Sequence, residues 1–402
     1  MNLEDQIRTI ERGTVDIIGR ERVPELLKEG RKLNIKFGID PTAPDIHLGH
    51  TVPLQKLRQF QEMGHNIHLI IGDYTAMIGD PSGRSDTRPM LTPEQIAANV
   101  RTYATQVFKL LDPNRTELLY NSQWLGKFSA TDLIHLTSKY TVQQLLQRRD
   151  FSNRIKENCP LSVAELIYPL LVGYDSVYLK TDIEIGGTDQ LFNFLASRAI
   201  QEAYGQKPEV VLTLPLLEGT DGVRKMSKSL GNAIGVTDEP FDMYGKIMSI
   251  NDTLMIKYFE LLSDVSVDEL DSIKRSIEEG IANPMTYKQQ LAREIVIKYH
   301  GLEAAVDAEK KFNKIHRRKE LPEFIEQTQI PYSSEEDLNI ITILRRSGRV
   351  SSNSEARRLL QQGGVRIDGD VIKDLDYSLK PEDGTILQVG KRYFRELQFK
   401  KE

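Results

Sequence analysis

The sequence predicts an α/β protein: a doubly wound parallel sheet, followed by a small all-helical domain and a compact α+β module at the C-terminus. Three observations predict it. Residues 34–72 read as strand, helix and strand within about 40 residues, which is a βαβ unit and implies parallel strands with a right-handed crossover. Apolar runs of strand length recur as far as residue 217. Beyond Pro240 the pattern turns helical, and beyond about residue 338 it becomes rich in arginine and turns.

In chain order, NIKFGID (residues 34–40) is the first strand, and PTAP breaks it. Asp45 is expected to cap a helix running to about residue 65, with Leu48, Val52, Leu57, Phe60 and Met63 on or near one face. NIHLIIGD follows as a short buried strand ending at Gly72. Thr92, Pro93, Glu94 and Gln95 form a capping box with proline at the first helical position, opening a helix to about Leu111. Further strands are expected at ELLYN (117–121), SVYLKTDIEI (176–185) and VVLTLPLL (210–217). These elements make a Rossmann-like domain over residues 1–235. Residues 236–325 read as all-helical, with segments at 254–262 and 284–301. Residues 314–337 carry prolines and dense charge, as a linker would, with 326–337 assigned as the linker, and the last module, 338–402, holds helices at 337–348 and 352–363 with turns at GG and DGD between short strands.

At 402 residues, 39% hydrophobic and 28% charged, the chain is long enough for two or three globular domains. No run approaches the roughly 18 apolar residues of a membrane span, and MNLEDQIRTIERG lacks an apolar signal core. With Cys159 as the one cysteine, no internal disulfide forms, and a cytoplasmic location is expected. A net charge of -5 argues against a protein that mainly coats nucleic acid. The average conceals a basic tail: Arg345, Arg346, Arg349, Arg357, Arg358 and Arg366 face one carboxylate, Glu355.

Four segments carry chemistry. PTAPDIHLGH leaves a strand and enters a helix, where free N–H groups hold anions. His47 and His50, three apart with Gly49 between them, fit donors to a phosphate oxygen, although a lone HxxH more often marks exposed histidines. Zinc fits poorly, since no third ligand is near. GDPSGRSDTR offers Asp80 with the guanidinium forks of Arg84 and Arg88, but it is no Walker A loop. IEIGGTDQ sets Gly187, Asp189 and Gln190 at a strand-to-helix turn, where Asp189 reads either as a ribose ligand or as a helix cap. RKMSKSLGN sets Lys225 and Lys228 among Ser227 and Ser229. Charge runs are usually solvated faces, and it is the order of all four segments at predicted strand ends in one domain that favours an anion site.

HLGH and KMSKS, in this order and about 180 residues apart, resemble the paired signatures of class I aminoacyl-tRNA synthetases. With GIDPTAPDIHLGH, GDPSGR, YPLLVGYDSV and IGGTDQ the chain is similar to the bacterial tyrosyl-tRNA synthetase family, in its KMSKS-containing branch, and GRVSSNSEARRLLQQGGVRIDG resembles an S4 RNA-binding domain. The resemblance implies a two-step ligase. Tyrosine attacks the α-phosphate of ATP, accompanied by Mg2+, to give tyrosyl adenylate and pyrophosphate, and the tyrosyl group then passes to the 3′ end of tRNA. It further implies Thr42 and His47 at the departing phosphates, His50 and Gly49 against the nucleotide, Lys225 and Lys228 closing over the phosphates, and Arg84 and Arg88 on a second basic loop. Asp189 would hold ribose beside Gly187. Asp175, on one helix face with Tyr168, would accept the substrate's phenol, while Asp40, Asp80, Tyr168 and Gln190 would surround its ring and ammonium group.

Lys36 stands where many members have a second tyrosine, and Val172 where a glutamine would bind the ammonium group. The resemblance also implies a homodimer, with an insertion at about 115–160 supplying much of the interface through residues 123–150, and RNA contacts from Arg345, Arg346, Arg349, Arg357, Arg358 and Arg366. No structural metal, tightly bound cofactor or membrane partner is expected. The rival readings are a tryptophan-charging enzyme of the same fold and a non-catalytic RNA-binding paralogue.

Overall fold

A computed structural model describes residues 1–40, 46–82, 92–317, 325–390 and 393–401, in two compact units, Met1–Glu309 and Lys310–Glu402. The first is built on a six-stranded sheet. Its strands are β1 (Asp16–Ile18), β2 (Asn34–Ile39), β3 (Asn66–Ile71), β4 (Thr116–Tyr120), β5 (Ile183–Gly187) and β6 (Val210–Leu214), in the spatial order β1-β6-β5-β2-β3-β4. Strands β2 to β6 are mutually parallel, and β1 lies antiparallel on β6. Strands β3 and β6 are largely apolar and buried almost end to end, as parallel strands covered on both faces must be. The chain winds outward from β2 through β3 and β4, then returns to build β5 and β6 on the other side. The topological switch point therefore lies between β2 and β5, and ligands of such sheets bind beyond the strand ends there.

Local signals explain most elements. Thr92 Oγ1 and Gln95 Oε1 cap each other's backbone N–H groups at 3.3 and 3.0 Å, launching the helix Pro93–Val107. Ser162 and Glu165 do the same for Val163–Leu179. This second helix corrects the expected strand 176–185: residues 176–179 continue the helix, Lys180 ends it in a left-handed conformation, and β5 starts only at Ile183. SVYL has strand-like composition, but a helix nucleated 13 residues upstream simply extends through it. Similarly, the helix Leu48–Glu62 takes His47 rather than Asp45 as its N-cap, and Asp45 lies outside the described residues. The short strand β1 carries too little pattern to be expected from sequence. Beyond the sheet, helices Pro240–Ser249, Asp252–Leu262, Val267–Glu278, Pro284–His300 and Leu302–Arg317 follow, with Tyr244, Tyr258 and Phe259 fully buried among them.

The second unit holds the sheet β7-β11-β10-β8-β9, from strands β7 (Gln327–Tyr332), β8 (Val365–Ile367), β9 (Asp370–Ile372), β10 (Thr385–Val389) and β11 (Tyr393–Lys401). Helices Ile340–Arg346 and Asn353–Gln361 bury Ile340, Ile343, Leu344, Ala356 and Leu360 against it. Residues 327–332, expected within a linker, are instead a strand parallel to β11. An edge strand needs to bury only one residue here, Ile330, and tolerates Pro331, so its sequence lacks the usual alternation.

Candidate active site

The switch point opens into a cavity of about 430 Å³. A larger groove, about 650 Å³, runs past Arg8, Arg12 and Lys257 and gathers none of the residues singled out above. Asp40 stands at the end of β2, where its Oδ2 accepts the Tyr168 hydroxyl (2.9 Å) and its Oδ1 the Thr75 hydroxyl (2.9 Å). Gly72, one residue past β3, makes this possible: a Cβ there would lie 2.1 Å from Asp40 Oδ1. Burial, helped by the charge of Asp80, pushes the Asp40 carboxyl up to about 7.

Tyr168 and Asp175 lie two turns apart on Val163–Leu179 and both face the cavity. Asp175 Oδ1 accepts Trp124 Nε1 (2.7 Å), and Oδ2 accepts Asn121 Nδ2 (3.3 Å). Asn121 is itself fixed, taking the Tyr74 N–H on Oδ1 (3.0 Å) and giving Nδ2 also to Thr75 Oγ1 (3.1 Å). Burial raises Asp175 to about 7 against the opposing pull of Lys36 and of these donors. Beside it, Lys36 is fully buried and bonds Glu184 (2.7 Å), Ser176 Oγ (2.8 Å) and the Val172 carbonyl (3.1 Å). Burial and the neighbouring Glu184 hold Glu209 well above the usual carboxylate range. The Val172 side chain lines the cavity without a polar atom, and its carbonyl is already used by Lys36.

On the other wall Asp80 Oδ2 accepts Gln190 Nε2 (2.7 Å), and Oδ1 accepts the Ser82 N–H (2.9 Å). Gln190 and Asp189 come from the turn after β5. A Cβ on Gly187 would lie 2.4 Å from Asp189 Oδ1, so any side chain there would displace the Asp189 carboxyl. Burial and Asp80 raise the Asp189 carboxyl, and the Lys225 charge acts on it in the opposite sense.

His47 and His50 stack with ring centres 3.8 Å apart, and His50 Nδ1 accepts the His47 N–H at 3.3 Å. Burial, then mutual repulsion and the Lys228 charge, lowers His47 to about 3; burial and Lys228 lower His50 to about 4. Both imidazoles are thus neutral near pH 7, so each offers one N–H donor and one acceptor nitrogen. The lysine loop docks on them. Gly49 N–H meets Met226 Sδ at 3.4 Å, Leu48 N–H donates to the Ile234 carbonyl (2.9 Å), and Val236 N–H donates to the Ile46 carbonyl (3.1 Å). Asn232 ties the loop's base, accepting Ser227 N–H (2.8 Å) and donating to Asp221 Oδ2 (3.0 Å). Met226 is buried, while Lys225 and Lys228 are exposed.

The structure therefore brings Asp40, His50, Gly49, Asp80, Tyr168, Asp175, Gly187, Asp189 and Gln190 to one cavity, with His47, Lys225 and Lys228 at its rim. Thr42, Arg84 and Arg88 lie outside the described residues. Sequence reasoning missed Gly72, Thr75, Asn121 and Trp124. The signal available was position: each follows the end of β3 or β4, and Trp124 is the chain's one tryptophan. Among the described residues no group of three or more His, Cys, Asp or Glu is arranged to hold a metal, and no helix is long and apolar enough to cross a membrane.

In the second unit all six predicted arginines are exposed. Arg346 is partly committed to the fold, pairing with Asp337 (2.6 Å) and the Pro331 carbonyl, and Arg345 bonds Asn353 (3.2 Å). Arg357 and Arg358 project from Asn353–Gln361.

Comparison with known proteins adds to this geometry. Residues 28–317 match the family of tRNA synthetases class I (W and Y), and residues 340–384 match the S4 domain. The chain is 48% identical over 394 residues to the tyrosine–tRNA ligase of Thermotoga maritima, covering 98% of this chain and 97% of that one. It is also 48% identical over 406 residues to that of Carboxydothermus hydrogenoformans, with 99% of each covered. Among solved structures, tyrosyl-tRNA synthetase complexed with L-tyrosine from Archaeoglobus fulgidus superposes with a TM-score of 0.63 at 24% identity, over 77% of this chain and all of that one. A C-terminally truncated mitochondrial tyrosyl-tRNA synthetase of Aspergillus nidulans gives 0.64 at 21%, over 77% and 94%. At these identities the superpositions speak to the fold.

Proposed function

Because the chain belongs to the class I tRNA synthetases of the tryptophan and tyrosine type, with the tyrosine–tRNA ligases as its full-length relatives, we propose a division of labour for the residues of its cavity. The reaction is the ligation of tyrosine to tRNA with ATP. In its first step the tyrosine carboxylate attacks the α-phosphate and pyrophosphate leaves; in its second the tyrosyl group is transferred to the tRNA 3′ end. The nucleophile is already an anion, so the enzyme's task is positioning and stabilisation of charge on the phosphates.

In this reading Asp175 accepts the phenol proton of the substrate. Its two oxygens each hold one donor and retain further acceptor capacity, and a phenylalanine ring would leave that buried capacity unpaired. Asp40 and Asp80 repel one another, and an ammonium group between them relieves the repulsion. The Tyr168 hydroxyl donates its hydrogen bond to Asp40, which leaves its oxygen free to accept from the same ammonium group. Gln190 completes that subsite. Asp189 takes the ribose beside Gly187. Gly49 and His50 pack against the nucleotide, while His47, Thr42, Lys225 and Lys228 serve the phosphates, with Arg84 and Arg88 on a second basic loop. Mg2+ enters as part of the substrate, bound to the phosphates of ATP.

The domain assignment is likewise proposed: catalytic residues 1–235, a helical anticodon-binding-type segment 236–325, and an S4-like module 338–402 to which β7 contributes. The exposed arginines of that module contact tRNA phosphates, residues 123–150 within the 115–160 insertion form a homodimer interface, and the protein works in the cytoplasm.

The single observation that carries the amino-acid assignment is Asp175, a buried carboxylate in the cavity held by Trp124 and Asn121. Amino-acid-dependent ATP–pyrophosphate exchange tests it. Exchange is expected with tyrosine, and exchange with tryptophan instead, or with no amino acid, refutes the assignment.

A further inference from the structure

Behind the ammonium subsite five residues, four linked through side chains alone and Ser82 also through its backbone N–H, close a ring of hydrogen bonds. Gln190 Nε2 donates to Asp80 Oδ2 (2.7 Å), Asn193 Nδ2 donates to Gln190 Oε1 (2.8 Å), and Arg148 Nη1 donates to Asn193 Oδ1 (3.3 Å). Returning on the other side, Arg148 Nη2 donates to Ser82 Oγ (3.0 Å), and the Ser82 N–H donates to Asp80 Oδ1 (2.9 Å). Arg148 comes from the helical segment inserted between β4 and β5, at the N-cap of the helix Arg149–Lys156. It is 6% exposed, its Nε is held by Asp150 at 2.8 and 3.0 Å, and the Phe151 and Phe192 rings flank its guanidinium at 4.5 and 5.6 Å.

The ring has a direction. A guanidinium has five donors and no acceptor, whereas a side-chain amide presents either its oxygen or its nitrogen to a neighbour. With Arg148 at one end, Asn193 must offer it Oδ1, so Nδ2 faces Gln190. Gln190 then offers Oε1 to Asn193, and its Nε2 faces Asp80. One donor-only group therefore sets two amides, and Asp80 meets donors on both oxygens.

We propose that Arg148 is a positioning residue for tyrosine binding: through Asn193 and Gln190, and through Ser82, it keeps the Asp80 carboxyl aimed at the substrate's ammonium group. The proposal rests on the reading of Asp80 and Gln190 as partners of that group. A lysine at 148 puts one point charge where three separated acceptors lie, so it restores only part of the function.

The test is ATP–pyrophosphate exchange by the full-length Arg148→Met, Asn193→Asp and double variants. Asn193→Asp keeps the acceptor for Arg148 and removes the donor to Gln190, which frees that amide to turn its oxygen toward Asp80. Each single variant is expected to raise the tyrosine KM by about 10- to 100-fold while the ATP KM stays within about twofold. The double variant should be no worse than the poorer single one, because both break the same relay. Arg148→Lys should recover part of the loss. A tyrosine KM within about twofold of the parent in Asn193→Asp overturns the proposal by itself, whatever the folding of Arg148→Met. Equal rises in both KM values, or additive losses in the double variant, overturn it as well. Asp80→Asn separates the two levels: an unchanged tyrosine KM there sinks the ammonium reading, whereas a rise there with none in Asn193→Asp sinks only the role of Arg148.

Discussion

Replacing Asp175 with asparagine changes one oxygen to an NH2 group and nothing in volume. Its consequence follows from the neighbours. Asp175 Oδ1 receives Trp124 Nε1 at 2.7 Å and Oδ2 receives Asn121 Nδ2 at 3.3 Å, so the wild-type site meets two donors with two acceptors. An asparagine must turn its own donor toward one of them. Trp124 has only a donor, and Asn121 is locked because its oxygen takes the Tyr74 N–H and its nitrogen also serves Thr75. The variant therefore loses a charged acceptor for the phenol, about 1.5–3 kcal/mol, and adds a donor–donor conflict of about 1 kcal/mol. The total of about 2.5–4 kcal/mol corresponds to a fall of about 70- to 1,000-fold in kcat/KM for tyrosine. Phenylalanine has no hydroxyl to lose, so its far smaller kcat/KM should barely change, and the ratio between the two substrates should collapse by the same factor. Pyrophosphate exchange with each amino acid measures both. Parallel declines for tyrosine and phenylalanine, or a fall of less than about fivefold for tyrosine, would refute the reasoning.

Asp40 and Asp175 both titrate near 7 in the unliganded protein, and protonation removes the acceptors that tyrosine needs, so kcat/KM for tyrosine should fall below pH 7 with a slope approaching two. Asp40→Asn should reduce that slope to one. Because folding raises the Asp40 pKa, its ionised form strains the fold above about pH 7 and the strain fades toward pH 4; Asp40→Asn should raise Tm at pH 8 more than at pH 5. Lys228→Ala should slow adenylate formation by about 10²- to 10³-fold and change ATP affinity by less than about threefold, as single-turnover kinetics with an independent ATP titration will show. A chain ending after Arg317 should keep pyrophosphate exchange and lose tRNA charging, whereas one ending at Asp337 retains β7 without its partner β11 and should aggregate on size-exclusion chromatography.

The parts of the fold visible in the sequence are those whose signal is local. The strand–helix–strand unit at 34–71 and the capping box at Thr92 depend on residues a few positions apart, and so do the helices after Pro240. Where a tertiary partner decides, the sequence misleads. Residues 176–179 look like a strand and complete a helix, and β7 looks like a linker because its partners in β11 lie 69 residues away. The same division holds in the cavity. His47, Lys225 and Asp175 belong to recognisable strings, but Thr75, Asn121, Trp124 and Arg148 act through side chains from separate elements, and no spacing along the chain announces them. The neutrality of His47 and His50 could not be read either, since it follows from burial and from Lys228 arriving across the cavity.

The most direct test of the account is a competition among substrates. Purified protein is incubated with bulk tRNA, ATP, Mg2+ and all twenty amino acids, the tRNA is digested with ribonuclease, and the aminoacyl-adenosine released is identified by mass spectrometry. Tyrosyl-adenosine alone is predicted, and it should vanish in parallel with pyrophosphate exchange when Asp175 is replaced. Tryptophanyl-adenosine, or RNA binding with no aminoacyl ester at all, would contradict the account.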